Sequence, residues 1–181
     1  MPPAILETAR LILRPFVLDD AADLYLLNSD PEVLRYTGDQ PPASIEAARR
    51  GLLERPLADY RLHGFGRSAC VLKATGQFIG FAGLKYVPEL CEVDLGYRLS
   101  REFWGQGLAT EAARASVAHG FNKLGLRRII GLVEPRHIAS VRVLEKCGME
   151  YERTVDYRGE PVAQYVVSRG TSRFATMPAA K

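Results

Sequence analysis

The sequence predicts a single domain of the α/β class, and three observations lead to this prediction. Its 181 residues, 47% of them hydrophobic, suit one domain with one core. No stretch rich in glycine, serine or proline divides the chain. Segments that alternate like strands are interspersed with segments of helical periodicity, which gives the order β-α-α-β-β-β-α-β-α-β-β.

The first half of the chain predicts a strand, two helices and a β-hairpin. Asp19 or Asp20 caps the first helix and Ser44 caps the second, because short polar side chains accept hydrogen bonds from the free N–H groups of a helix start. Pro31 and Pro56 end these two helices. The strands are expected at residues 10–16, 66–72 and 77–86, and the hairpin turn at residues 73–76.

The second half begins with an alternating strand, a glycine-bearing turn and a helix that runs to about Leu124. An apolar strand and a short helix come next, and a β-hairpin around residues 158–160 closes the domain. The expected bounds are 91–99 and 128–133 for the two strands, 139–147 for the helix, and 149–156 and 161–168 for the hairpin. The domain should span residues 1–170, with residues 171–181 as a flexible tail.

The turn at residues 105–107 is the most informative part of the chain. Gly105 and Gly107 allow successive N–H groups to point into one hollow, and the following helix adds its own free N–H groups and positive dipole end. These features predict an anion site of the kind that binds phosphate. No lysine follows the glycines as in a nucleotide-hydrolysing loop, and Thr110 stands where a dinucleotide fingerprint has a small residue. The pattern alone fits a tight turn that merely begins a helix equally well.

Two longer segments, residues 97–112 and 138–149, resemble the GNAT superfamily of acyl-CoA N-acyltransferases. The first contains Trp-Gly-Gln-Gly-Leu-Ala-Thr-Glu-Ala, and the second contains a serine followed after six residues by Cys-Gly-Met. Within the superfamily they are most similar to the branch of ribosomal-protein N-terminal (RimJ/RimL-like) acetyltransferases. Residues 7–15 resemble the first strand of that branch, so the similarity extends over nearly the whole chain.

This resemblance implies both a fold and an activity. The fold would be a mixed, mostly antiparallel twisted sheet, splayed between its two central parallel strands, with about four helices. The activity would be transfer of an acetyl group from acetyl-CoA to a primary amine, by direct attack in a ternary complex. The branch favours a protein or peptide N-terminus as the acceptor, and a small-molecule amine is the second choice. A module that binds acyl-CoA without catalysis is the remaining alternative.

The resemblance also assigns the residues that hold the cofactor. Backbone groups of Tyr97, Arg98 and Leu99 would bond the pantetheine arm, and Gly96 would mark a bulge that opens the sheet. His137 stands where the family usually has an asparagine that orients the cofactor or the acceptor. The other expected cofactor-binding residues are Trp104, Gly105, Gln106, Gly107, Leu108, Ala109, Thr110 and Lys146.

Amine attack on a thioester requires a proton acceptor for the amine and benefits from a proton donor to the thiolate. Glu92 and Asp94 are two residues apart and therefore on one face of their strand. The resemblance favours Asp94 as the base, acting through water because it is shorter than the family's usual glutamate; both acids could instead be solvated. Ser140, at the start of a helix that faces the sulfur in the family, is the expected proton donor or simply a helix-start residue.

Composition speaks against several other classes of protein. A net charge of +3 is too small to indicate nucleic-acid binding, and no apolar run is long enough for a membrane span. His63, His119 and His137 are too scattered to form a metal site with the cysteines. The three cysteines are odd in number and far apart, which predicts a reducing compartment. We therefore expect a cytoplasmic protein, as a monomer or a homodimer.

Overall fold

The computed structural model describes residues 5–175, which form one eight-stranded sheet with helices on both faces. The strands are β1 (Leu6–Glu7), β2 (Leu11–Arg14), β3 (Arg67–Leu72), β4 (Phe78–Val87), β5 (Glu92–Leu99), β6 (Arg128–Val133), β7 (Glu150–Tyr157) and β8 (Glu160–Ser168). The helices are α1 (Ala21–Ser29), α2 (Pro31–Leu34), α3 (Ile45–Glu54), α4 (Pro56–His63), α5 (Leu108–Asn122) and α6 (Ile138–Lys146). Among the described residues none of these helices is both long and apolar enough to cross a bilayer.

The order of strands in the sheet is β1-β2-β3-β4-β5-β6-β8-β7, and every neighbouring pair is antiparallel except β5 with β6. β4 and β5 are in register at eight positions, whereas β5 and β6 are in register only at Asp94 and Ile130. The two central parallel strands therefore diverge immediately beyond Asp94. This confirms the splayed, mostly antiparallel sheet that the resemblance implied.

Two helix layers pack on opposite faces of the sheet. On one face Ala69 of β3 lies in a cluster with Ala21 and Leu52 of the first helices. On the other face Leu95 of β5 packs with Val117 of α5. The opening beside β5 connects the two layers, since residues of both line it.

The observed helices differ from the predicted ones at Pro56. The proline ends α3, as expected, but it also occupies the first turn of a further helix, α4, which the sequence analysis did not predict. Proline is well suited to this position because the N–H it lacks would have no partner within the helix. Gly64 then ends α4 in the left-handed conformation, with φ of 75°.

The end of the chain is packed as far as it is described. Residues 171–175, which the sequence analysis assigned to a tail, form turns that place Phe174 against the core with 7% of its surface exposed. Arg114 and Arg173 lie over the faces of its ring, at 5.7 Å and 5.1 Å from the ring centre. The rest of the expected tail, residues 176–181, lies outside the described residues, as do residues 1–4.

Candidate active site

The divergence of β5 and β6 opens a cleft of about 1080 Å³ that reaches both helix layers. Because successive side chains of β5 point to opposite faces of the sheet, this strand contributes to both halves of the cleft lining. Asp94 and Arg98 point to the face covered by α1–α4, where Arg98 donates to Asn28 and lies over the ring of Phe81. Leu99 and its neighbours at odd positions point to the face covered by α5 and α6.

The backbone of β5 alternates in the same way. The N–H of Ser100 donates to Ile79 of β4, so the backbone groups of Arg98 also face β4, and those of Tyr97 and Leu99 face the opening. The carbonyl oxygen of Leu99 already accepts a hydrogen bond from Trp104 Nε1 at 2.7 Å. Of the three residues expected to present backbone groups toward the opening, Tyr97 and Leu99 do so and Arg98 does not.

Asp94 lies at the point of divergence, and both of its carboxylate oxygens are engaged. Oδ2 forms an ion pair with Arg67 at 2.5 Å, and Oδ1 accepts from the backbone N–H of Leu132 on β6 at 3.0 Å. The guanidinium of Arg67 crosses β5 directly over Gly96, where any side chain would collide with it. The prediction of a bulge at Gly96 is wrong, because β5 stays in register with β4 through this residue. Glycine is needed here to admit Arg67.

Glu92 does not line the cleft, although it shares a face with Asp94. Its carboxylate forms an ion pair with Arg128 at 2.8 Å, and Arg128 also pairs with Glu152 at 2.6 Å. The two hydrogen-bonded carboxylates raise the pKa of Arg128. Glu92 therefore belongs to an ionic network that ties β5 to β6 and β7.

Ser140 and Tyr97 meet on the other side of the opening. The phenol of Tyr97 lies 3.0 Å from Ser140 Oγ and donates to the Ser140 carbonyl oxygen at 2.9 Å. Burial raises the pKa of Tyr97 further than the Ser140 hydrogen bond lowers it, so the phenol keeps its proton. Both residues are predicted site residues, but Tyr97 is predicted only as a backbone contact, because no local pattern links residues 43 positions apart.

His137 directly precedes α6 and stacks on Tyr36, with ring centres 4.7 Å apart and planes inclined by 20°. The contact joins the segment after α2 to the segment after β6 across the cleft. Burial lowers the pKa of His137, and the nearby Glu134 carboxylate opposes this only in part. The imidazole is therefore neutral near pH 7 and can offer one donor and one acceptor.

The loop before α5 has the geometry that its glycines predict. Gly105 and Gly107 have φ of 74° and 76°, and α5 begins at Leu108. Arg10 holds the loop by donating to the carbonyl oxygen of Gln106 at 2.9 Å and by pairing with Glu111 at 2.7 Å. Among the loop residues expected to bind the cofactor, Gln106 does not line the cleft. The remaining six do line it: Trp104, Gly105, Gly107, Leu108, Ala109 and Thr110.

Two cations of α6 complete this side of the cleft. Arg142 and Lys146, four residues apart, both line it, and neither side chain has an ion-pair partner among residues 5–175. The N-terminus of α5 and these side chains together suit an anionic ligand with phosphate groups. The lining residues therefore fit a long, phosphate-bearing thioester such as acetyl-CoA.

Two further ionisable side chains line the cleft on the α1–α4 face. Asp59 lies on α4, and Lys85 on β4 is directly opposite Asp94 in register. Burial raises the pKa of Asp59, although Lys85 and His63 oppose it, and burial lowers the pKa of Lys85. Neither residue was among the predicted site residues: Asp59 belongs to an unpredicted helix, and strand alternation of residues 77–86 is the only sequence signal for Lys85.

Comparison with known proteins identifies the family. The sequence model of the acetyltransferase (GNAT) domain family matches residues 10–150, and these residues include both sides of the cleft. The chain belongs to the GNAT acetyltransferase family. It is therefore an N-acetyltransferase, and its acetyl donor is acetyl-CoA.

Relatives of this acetyltransferase cover most of its length. The uncharacterized N-acetyltransferase p20 of Bacillus licheniformis is 34% identical over 149 residues, which are 81% of this chain and 83% of the relative. FsC-acetyl coenzyme A-N(2)-transacetylase of Aspergillus fumigatus is 32% identical over 157 residues, 82% of this chain and 66% of the relative. A solved acetyltransferase from Agrobacterium tumefaciens str. C58 superposes with a TM-score of 0.80 at 27% identity, over 92% of this chain and 95% of the other.

Proposed function

We propose that the enzyme acetylates a primary amine by direct attack on bound acetyl-CoA in a ternary complex. The observation that carries this proposal is the opening beside β5. Hydroxyl groups line it on the α5–α6 face, and carboxylates line it on the α1–α4 face. Donor and acceptor can therefore enter from opposite faces and meet at the opening. No covalent enzyme intermediate is required, since holding the two reactants together supplies much of the rate enhancement.

Ser140 is the proposed hydrogen-bond donor to the thiolate that leaves, and it stabilises the negative charge on the sulfur. Tyr97 donates its own proton to the Ser140 carbonyl oxygen, so the Ser140 hydroxyl proton is available to a nearby sulfur. A hydroxyl in this position acts mainly in the transition state, where negative charge develops on the sulfur. Backbone groups of Tyr97 face the same opening and suit the amides of the pantetheine arm.

Asp59 is the proposed proton acceptor, in preference to Asp94 and Glu92. Its carboxylate has no ion pair or side-chain hydrogen bond among the described residues, and its raised pKa makes it a better base than an exposed aspartate. Both oxygens of Asp94 are already bonded, and Glu92 pairs with Arg128 outside the cleft. We propose that Asp94 has a structural role and fixes the position at which the opening begins.

A small molecule is the acceptor that we propose first. Three contacts narrow the cleft on the acceptor side: the Tyr36–His137 stack, and the pairing of Asp39 with Arg98 at 2.6 Å and with Arg158 at 3.8 Å. A peptide N-terminus is the second candidate, supported by the similarity of residues 97–112 to the ribosomal-protein branch.

Release of coenzyme A thiol tests both the activity and the acceptor class. The purified protein would be incubated with acetyl-CoA and a set of small primary amines and short peptides, and acetylated products would be identified by mass spectrometry. We expect amine-dependent thiol release with small molecules above the rate of acetyl-CoA hydrolysis alone. Acetylation confined to peptides would favour the second acceptor class. Tight acetyl-CoA binding without acetylation of any amine would indicate a binding module.

A further inference from the structure

Lys85 is a half-buried ammonium that lacks a partner where one would be expected. In the register of β4 and β5 it is directly opposite Asp94, a position from which oppositely charged side chains commonly pair. Asp94 instead turns to Arg67 and to the N–H of Leu132. Among residues 5–175, Lys85 forms no ion pair and no side-chain hydrogen bond.

The charges around Lys85 leave an excess of positive charge in this part of the cleft. Arg67 and Arg158 act on Lys85 as cations, and Asp59 and Asp94 act on it as anions. Because Arg67 pairs with Asp94 and Asp39 pairs more closely with Arg98 than with Arg158, Lys85 and Arg158 are two cations for which Asp59 is the remaining carboxylate that acts on Lys85. A buried charge without a partner is costly, and a ligand carboxylate at this position would supply the partner that Lys85 lacks among residues 5–175.

Arg158 is held loosely enough to take part in binding. It is at the tip of the β7–β8 hairpin, and its contact with Asp39 is long, at 3.8 Å, with 55% of its side chain exposed. Asp39 bonds more closely to Arg98, at 2.6 Å. The Arg158 guanidinium also lies 5.1 Å from the centre of the Tyr157 ring, which keeps it over the cleft.

We propose that Lys85, together with Arg158, binds a carboxylate of the acceptor, and that the acceptor is an amino acid or a similar small molecule with both a primary amine and a carboxylate. This inference rests on the proposed N-acetyltransferase function and specifies its substrate class. Asp59, on the same face, then receives the amine. Lys85 and Asp59, neither of which forms an ion pair within 4 Å among residues 5–175, thus match the two charges of a zwitterion.

Other acceptors fit these charges less well. A polyamine would bring several positive charges to a region that already has surplus cations. A neutral amine would leave Lys85 buried without a partner. A peptide N-terminus has no carboxylate next to its amine, unless an acidic side chain follows.

Matched pairs of acceptors test the inference in the wild-type enzyme. Each standard amino acid would be compared with its carboxamide, and polyamines and short peptides would be included in the same thiol-release assay. For the accepted amino acids we expect kcat/KM to exceed that of the amide by about 10- to 100-fold, the usual effect of one hydrogen-bonded ion pair. Amides or polyamines that are acetylated as well as the acids would overturn the inference and leave the proposed function intact. Thiol release with no amine at all would overturn both.

Variants at Lys85 assign the preference to this side chain. Lys85→Met should lower kcat/KM for the amino acid about tenfold or more and change that of the amide less than about threefold, because only the acid loses an ion pair. Lys85→Arg should restore part of the preference. Lys123→Met, at an exposed lysine outside the cleft, is the matched control. An acid-to-amide ratio that Lys85→Met leaves unchanged would contradict the assignment.

Discussion

Asp94 Oδ1 accepts a hydrogen bond from the backbone N–H of Leu132 at 3.0 Å, two residues beyond the single position at which β5 and β6 are in register. In a regular parallel ladder that N–H would donate to a backbone carbonyl of the neighbouring strand. The carboxylate takes the place of that carbonyl. The side chain of Asp94 therefore fixes the point at which the two strands diverge and the cleft begins.

Replacement of Asp94 should reduce stability through Arg67. In Asp94→Asn the amide oxygen can still accept from Leu132, but the guanidinium, whose side chain is 16% exposed, loses its counter-charge. We expect the free energy of unfolding, measured with urea, to fall by about 3 kcal/mol. Arg67→Met in the same background should recover part of this loss. Strictly additive effects of the two substitutions would mean that the pair contributes no coupling energy.

Replacement of Asp59 should remove the proton acceptor. Asp59→Asn is expected to lower kcat by about 100-fold, the usual cost of losing a general base. In the wild type the rate should fall as the pH decreases through the pKa of Asp59, and burial places this fall at higher pH than for an exposed aspartate. The exposed Asp19→Asn is the matched control. If Asp94→Asn, and not Asp59→Asn, abolishes the pH dependence of the rate, Asp94 is the base.

The hydroxyl pair should act as a unit. Ser140→Ala and Tyr97→Phe are each expected to lower kcat and kcat/KM by about 100-fold with little change in the KM for acetyl-CoA. Since the two hydroxyls contact each other, the double variant should be scarcely slower than either single one. Steady-state kinetics of the four enzymes provide the measurement. A Ser140→Ala enzyme that melts at lower temperature but keeps full activity would reduce the serine to a helix-start residue.

The glycine loop should be sensitive to both side-chain bulk and negative charge. In Gly107→Asp a carboxylate at the start of α5 opposes the phosphates, and calorimetry should show acetyl-CoA binding weakened by roughly tenfold or more. Gly125→Asp is the control, since Gly125 also has a positive φ, of 68°, but lies outside the cleft. In both variants backbone strain should lower the free energy of unfolding by about 1–2 kcal/mol. Unchanged affinity in folded Gly107→Asp would remove this loop from the cofactor site.

Glu111 should stabilise the loop in a pH-dependent way. Burial raises the pKa of Glu111, but hydrogen bonds from Thr8 and Arg10 outweigh this effect and lower it overall. A lowered pKa contributes stability above the pKa of the unfolded chain and loses it as the pH falls through the folded value. Glu111→Gln should therefore lower Tm at pH 7 and have progressively less effect in acid. The exposed Glu145→Gln should show no such trend, and a constant deficit in Glu111→Gln would exclude the ionic origin.

Periodicity and family resemblance were sufficient to predict the sheet, its divergence and the glycine loop, because these depend on short stretches such as residues 91–112. Two features that the sequence did not reveal, the ion pair of Asp94 and the role of Gly96, have one physical cause. Partners far apart in sequence leave no local pattern: the ion pair between Arg67 and Asp94, on which our preference for Asp59 as the base depends, joins residues 27 positions apart. Glycine within a strand predicts a bulge at Gly96, whereas the structure requires glycine there because the Arg67 side chain passes over it.

Pro56 shows a second kind of limit. A proline ends one helix and begins another by the same loss of an N–H, so the residue alone does not distinguish the two outcomes. The missed helix contains Asp59, and the candidate base was therefore invisible until the chain was folded.

Side chains of β5 point alternately to the two faces of the sheet, so mutations along this strand can affect the two substrates separately. Even-numbered positions from 94 to 98 face the α1–α4 layer, from which we propose that the acceptor enters, and odd-numbered positions face the α5–α6 layer, which we propose holds the donor. Mutations that alter what is acetylated can therefore accumulate on one side of a single strand while the grip on acetyl-CoA is preserved on the other. For directed evolution, a library restricted to Arg98 and to Lys85 on the neighbouring strand would vary the acceptor side of the cleft and leave Gly96, which must admit Arg67, unchanged.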